Sequence, residues 1–230
     1  QRLALTMEGN GPLQRIQAEA DASGKVRATL KVAVAGLPPK DDRFDVAGAI
    51  GRAGFLHVVK DLGLKEPYRG MVQLHTSEVA EDIAYYFTTS EQTPSSVALG
   101  VELGQAAEVT AAGGFLLQVM PGAGDEQIGL LEQRLQALPP VTVLLRRGLA
   151  PAEIAGQLLE GLPYQTLGDS PLYFACTCSQ AQTEQLLRLL GVEELDHLLE
   201  EAGEAQITCE FCKEEYRIDG ARLRQLRASL

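Results

Sequence analysis

Tryptophan is absent from this chain, and phenylalanine and tyrosine together supply only 5% of it, so any core must be built mostly from aliphatic side chains. A basic surplus is also missing. The net charge is −11, which excludes the broad positive face a nucleic-acid binder uses against phosphates. No apolar run approaches the length of a membrane span, and no signal-peptide pattern opens the chain, so neither a membrane nor export is expected. There is no initiator methionine. The start Gln1-Arg2-Leu3 leads to the expectation of an upstream segment, either removed or lying outside this sequence.

Motifs of catalysis are missing too. Gly24-Lys25 is followed by Val26 rather than completing a phosphate loop. Gly122-Ala123-Gly124 has Gln127 where a dinucleotide loop needs its third glycine. Neither His-Glu-x-x-His nor Gly-x-Ser-x-Gly occurs. His57, His75 and His197 are far apart in sequence and read as structural or surface residues. Asp82, Tyr86 and Glu91 read as capping and solvation around a helix. The chain is not expected to be an enzyme.

What is present is a cysteine pattern. The four cysteines form two tight pairs, Cys176-Thr177-Cys178 and Cys209-Glu210-Phe211-Cys212, with thirty residues between them. A tetrahedral Cys₄ zinc site needs two such turns brought together by a folded segment. The Cys-x-Cys half can also close on itself as a strained, easily reduced disulfide, so the site can be both metal-binding and oxidisable. Two permanent disulfides would suit a secreted chain, and buried structural cysteines would not cluster in this way. His197 lies between the pairs, but four thiolates already fill a structural zinc. The ligands expected for one zinc per chain are therefore Cys176, Cys178, Cys209 and Cys212. Paired thiols without an export signal suit a reducing cytoplasm.

The 230 residues, 45% of them apolar, suit one or two domains. The fold class read from the pattern is α+β, in three parts. Residues 1–122 read as a mixed α/β domain with a mainly antiparallel sheet. Its strands are expected at 3–7, 13–21, 25–35, 55–60, 70–75, 95–103 and 114–120, with a turn at Gly9-Asn10-Gly11-Pro12. A helix opens near Ser77, with Val79, Ile83, Ala84 and Phe87 at helical spacing and Glu78, Glu81 and Asp82 in its first turns. Residues 123–171 read as a helical linker. One helix is capped by Asp125, carries Ile128, Leu131, Leu135 and Leu138, and ends at Pro139-Pro140. An apolar run at 141–145 leads to Arg146-Arg147, and a second helix starts at Pro151 with Ile154, Leu158, Leu159 and Leu162. Such short amphipathic helices must lie on something, either as an extension of the first domain's core or as a detachable linker. Residues 172–230 read as a zinc module. It has a helix capped by Ser179 and broken at Gly191, a second helix with Leu195, Leu198 and Leu199, and a hairpin of 206–210 with 215–218. A last helix starts at Ala221, where Arg222, Arg224 and Arg227 read as a solvated face. A module this small draws much of its stability from metal.

Several stretches resemble one family closely. They are residues 70–74, the run Ser77-Glu78-Val79-Ala80-Glu81-Asp82-Ile83-Ala84-Tyr85-Tyr86-Phe87, then Ser90-Glu91-Gln92-Thr93-Pro94-Ser95, and Ala112-Gly113-Gly114-Phe115 through Met120-Pro121-Gly122-Ala123. The family is the bacterial redox-regulated holdase, the thirty-three-kilodalton heat-shock chaperone. Its pattern of Cys-x-Cys, about thirty residues, then Cys-x-x-Cys is filled by Cys176, Cys178, Cys209 and Cys212. Its members carry a further strand-and-helix segment ahead of the position of Gln1, which this chain is expected to lack.

The resemblance implies an ATP-independent chaperone that binds unfolding client proteins under oxidative stress. The reduced, zinc-bound form is inactive. Oxidation to disulfides Cys176–Cys178 and Cys209–Cys212 releases the metal and unfolds the linker, exposing a client surface that would include Ile128, Leu131, Leu135, Ile154 and Leu158. The oxidised form is expected to be a homodimer. Two other classes stay open: a thiol–disulfide oxidoreductase acting through Cys209 and Cys212, and a constitutive zinc-ribbon adaptor.

Overall fold

A computed structural model describes residues 1–40 and 43–230. The chain divides into two units, the first holding Leu3–Gln17 and Leu30–Ser170 and the second Ala18–Thr29 and Pro171–Leu230. The fold is α+β with mainly antiparallel strand pairing.

The first unit begins with β1 (Arg2–Gly9). Strands β2 (Arg15–Asp21) and β3 (Lys25–Leu30) start and end in this unit, while most of their length belongs to the second. Next come α1 (Val46–Ile50), β4 (Gly54–Asp61), β5 (Tyr68–Gln73) and α2 (Val79–Thr89). Within the unit the strand order is β5-β4-β1. Strands β4 and β5 pair antiparallel with Phe55 opposite Gln73 and Val58 opposite Gly70. The core is aliphatic except at one place: Met7, Ile50, Leu56, Val58 and Leu74 close around Tyr86. Gly70 makes room for that ring, because a Cβ there would stand 2.5 Å from the Tyr86 hydroxyl.

Asp82 sets the entry to α2. It is fully buried, and its Oδ1 accepts from the His75 and Thr76 amides at 2.7 and 3.0 Å while Oδ2 accepts from the Ser77 amide at 2.9 Å. These bonds fold the turn ahead of α2 back onto the helix rather than capping its first amides, and Tyr86, expected in a solvated patch, is a core side chain instead. Ser77 sits in the left-handed region at φ 67°, so the helix starts only at Val79.

Strands β6 (Ser95–Leu103) and β7 (Val109–Gln118) form a separate antiparallel ribbon. β7 starts earlier than the expected residue 114, because Ala111, Ala112 and Gly113 keep pairing with β6 despite weak strand preference. β3 stops at Leu30, short of the expected 35.

The remaining helices of the unit are α3 (Asp125–Ala137), α4 (Val141–Arg146) and α5 (Pro151–Leu158). Asp125 does not cap α3. Gly124 occupies that position, and Asp125 with Glu126 lies in the first turn, facing the positive end of the helix dipole. The run at 141–145 is a helix, packed on β6 and β7. The sheet is cut to receive it. Gly100 and Gly113 are cross-strand partners. A Cβ on Gly100 would stand 2.8 Å from Thr142 Cγ2, and one on Gly113 would stand 2.9 Å from Leu145 Cδ1. Leu144, 1% exposed, anchors the helix. Helices α3 and α5 pack on each other, and Arg134 of α3 donates to the Leu158 carbonyl at 2.9 Å.

The second unit contains the turn of the β2–β3 hairpin, β8 (Tyr173–Phe174), α6 (Gln180–Leu190), α7 (Val192–Glu201), β9 (Glu204–Thr208), β10 (Glu215–Asp219) and α8 (Gly220–Ala228). Its helices and hairpin match the sequence expectation closely. Ser179 caps α6 through the Gln182 amide, and Gly191 at φ 88° ends it. A second small core joins Leu187, Leu195, Ala205, Ile218, Leu223 and Leu226. Arg222 pairs with Glu184 and Arg227 with Asp196, so two of the three basic residues on α8 join ion pairs across the unit.

Candidate metal centre

Two turns carry the four cysteines. Cys176 and Cys178 occupy the link from β8 to α6, held by the strand on one side and the Ser179 cap on the other. Cys209 and Cys212 sit in the turn between β9 and β10. The Cys209 amide donates to the Glu214 carbonyl at 2.8 Å, and the Lys213 amide returns to the Cys209 carbonyl at 3.0 Å. Lys213 adopts φ 62°, a left-handed residue that tightens the knuckle. A hairpin turn is a poor setting for dithiol catalysis, which favours a cysteine at a helix N-terminus.

The four sulfurs lie within 4.8 Å of one another, and all four thiols are free. The short approaches run between the pairs: Cys176 to Cys209 at 3.6 Å and Cys178 to Cys212 at 3.3 Å. A tetrahedral zinc with bonds of about 2.3 Å sets its sulfurs about 3.8 Å apart. The donor set therefore fits that ion in chemistry, number and spacing. Among the described residues this is the one such cluster of cysteine, histidine and carboxylate side chains. His197 is not part of it and faces Glu201 instead.

Electrostatics in the cluster are uneven. Burial opposes ionisation of Cys176, but hydrogen bonds from the Cys178 amide and thiol, from Arg27 and from Cys209 outweigh it and bring the thiol down to about 6. Cys178 accepts from the Tyr216 hydroxyl at 3.1 Å, which favours its thiolate. The neighbouring Cys212 thiol and burial act the other way and push it up to about 12. Without a cation, four sulfurs this close cannot all carry charge.

The model of the Hsp33 protein family matches residues 1–219. The chain belongs to the Hsp33 family. A family relative from Syntrophotalea carbinolica, named 33 kDa chaperonin, is 53% identical over 226 residues, covering 98% of this chain and 78% of the relative. One of the same name from Geobacter sulfurreducens is 48% identical over 230 residues, covering all of this chain and 76% of the relative. The crystal structure of the Hsp33 homologue from Thermotoga maritima superposes with a TM-score of 0.89 at 32% identity. It covers 99% of this chain and 78% of that one. Relatives in the Hsp33 family are chaperones by name, and the four-cysteine cluster here is compatible with a metal-dependent, redox-sensitive member.

Of the five residues expected to meet clients, Ile154 and Leu158 are buried at 6% and 3% exposure. Ile128, Leu131 and Leu135 are half-buried on α3. Tyr216 and Arg27 were missed from sequence. Tyr216 lies on β10 beyond the knuckle, with no spacing signal linking it to Cys178. Arg27 reaches Cys176 across 149 residues of sequence. No helix among the described residues is long and apolar enough to cross a membrane.

Proposed function

We propose that this chain is an ATP-independent holdase for unfolding proteins, off when reduced and metal-bound and on when oxidised. The observation that carries the reading is the convergence of all four cysteines, two from each turn, within 4.8 Å on a small second unit. The proposed ligands are Cys176, Cys178, Cys209 and Cys212. When bound, zinc would neutralise the four thiolates and crosslink the two turns, a contribution of about 10–16 kcal/mol in comparable sites. That is comparable to the roughly 5–15 kcal/mol by which whole domains are stable. A core of six buried side chains is too small to hold the unit together without it.

Oxidation and metal loss are then one event. Two electrons leave a pair of sulfurs as the S–S bond forms. One peroxide takes those electrons and two protons and becomes two waters. A sulfur in a disulfide is no longer an anionic ligand. The pairs proposed are Cys176 with Cys178 and Cys209 with Cys212, the pairing that the family resemblance implies; each is joined by one or two residues and stays close when the unit melts.

Functionally the chain divides into a core at 1–122, a linker at 123–171 and a switch at 172–230. The linker's apolar residues Ile128, Leu131, Leu135, Ile154 and Leu158 are at least half covered within the first unit. Release would offer them to exposed apolar segments of clients, each fully covered Leu or Ile supplying about 1.5–3 kcal/mol. The acidic surface, at net charge −11, would keep such complexes dissolved. A cytoplasmic setting and a homodimer in the oxidised form belong to the same proposal. The test is client aggregation, measured with the reduced, zinc-loaded chain and with the peroxide-treated chain. Suppression by the oxidised form alone supports the reading, and equal suppression by both forms refutes it.

A further inference from the structure

One cation touches both halves of the cysteine cluster. Arg27, on β3, directs Nη1 to the Cys176 sulfur at 3.5 Å and to Thr177 Oγ1 at 3.4 Å. The same guanidinium lies 4.1 Å over the ring of Phe211, between Cys209 and Cys212 in sequence. Its other edge is fixed, because Nε and Nη2 both donate to Glu19 Oε2, at 2.8 and 2.6 Å. The hairpin that carries Arg27 is tied to the same unit twice more. Thr29 Oγ1 donates to the Glu210 carbonyl at 2.8 Å. β3 and β8 pair in parallel, Val26 opposite Phe174, with the Ala175 amide donating to the Val26 carbonyl at 3.1 Å.

We propose that Arg27 is a positioning residue for the metal centre, clamping Cys176 and the Phe211 knuckle together and holding the bound ion against loss. The inference rests on the metal-centre reading above. Four thiolates around a divalent cation leave two negative charges uncompensated, and a guanidinium donating to one sulfur offsets part of that charge. Arginine suits the role where lysine would not. Its planar fork lets Nε and Nη2 serve Glu19 while Nη1 stays free to reach sulfur, and its flat face stacks on the ring. Groups of this outer kind around metal ligands typically change metal affinity by about 10–100-fold when removed.

The experiment compares zinc affinity by chelator competition in the full chain, its Arg27→Met variant and its Thr29→Val variant, together with the thiolate-to-metal charge-transfer band after cobalt substitution. Thr29→Val removes the hydroxyl that bonds Glu210 and leaves Arg27 in place, so it reports on hairpin docking alone. Arg27→Gln carries the same reading should the Met variant not fold. The expected result is zinc binding weakened about tenfold or more on loss of Arg27. The cobalt band should move to longer wavelength, and Thr29→Val should shift affinity by much less without moving the band. Unchanged affinity in the Arg27 variants overturns the proposal. Equal losses in the Arg27 and Thr29 variants with an unmoved band also overturn it, because docking alone would then suffice. A wild-type chain that takes up no zinc overturns the metal-centre reading beneath it, a failure distinct from either variant result.

Discussion

Gly100→Ala tests whether α4 is a latch. The two glycines facing each other across β6 and β7 leave the flat surface on which α4 rests. A methyl on Gly100 would meet Thr142 Cγ2 at 2.8 Å and the Thr142 amide nitrogen at 3.3 Å. Thr142 is β-branched and cannot swing aside without changing rotamer, so the helix itself must lift. Overpacking of this kind costs about 1–3 kcal/mol. At about 1.4 kcal/mol per tenfold, the undocked population rises roughly 5- to 150-fold. Trypsin cleavage after Arg146 and Arg147 reports it, because proteolysis follows the open population when reclosing is fast. The reduced, zinc-loaded variant should be cut faster there by that factor, with its zinc content unchanged and Arg69 in β5 as resistant as before. Unchanged cleavage would refute the latch. An equal rise at Arg69 would refute it too, since the helix would then be inseparable from the unit's core.

Other outcomes follow from single contacts. Gly70→Ala should lower the melting temperature of the first unit, because the new Cβ stands 2.5 Å from the Tyr86 hydroxyl and overpacking costs about 1–3 kcal/mol; an unchanged melt would mean the ring has slack. Asp82→Asn turns an N–H₂ toward an amide cluster that needs acceptors, leaving at least one buried donor unpaired at about 1–3 kcal/mol, read as a lower denaturant midpoint at unchanged slope. Cys209→Ser leaves three thiolates, so zinc binding should weaken and amide exchange should quicken across α6 to α8 without oxidant; retained protection there would show that the second unit folds without its metal. Zinc uptake should release protons, since thiols must ionise to become ligands, and the heat of binding should therefore differ between buffers of different ionisation enthalpy.

The four-cysteine cluster was legible because its signal is local: two cysteine pairs, a serine cap directly after one and a hairpin around the other. Ser179, Gly191 and Pro139-Pro140 marked their boundaries because capping and chain-breaking act within a few residues. What stayed hidden depends on distant partners. Val141, Thr142 and Val143 have the β-branched character of a strand, and only the glycine surface at Gly100 and Gly113 makes that run a docked helix. β8 is two residues long and exists through its pairing with β3. Arg27 and Tyr216 have no spacing that ties them to cysteines, so their place beside sulfur is visible only in three dimensions.

The most direct test of the redox switch follows zinc content, free thiols and client aggregation together in one sample during peroxide treatment. The account predicts that four free thiols fall to none, that one zinc leaves per chain, and that suppression of aggregation rises with zinc release, all reversed by a thiol reductant with zinc. Full suppression of aggregation while four thiols and one zinc remain in place would contradict it.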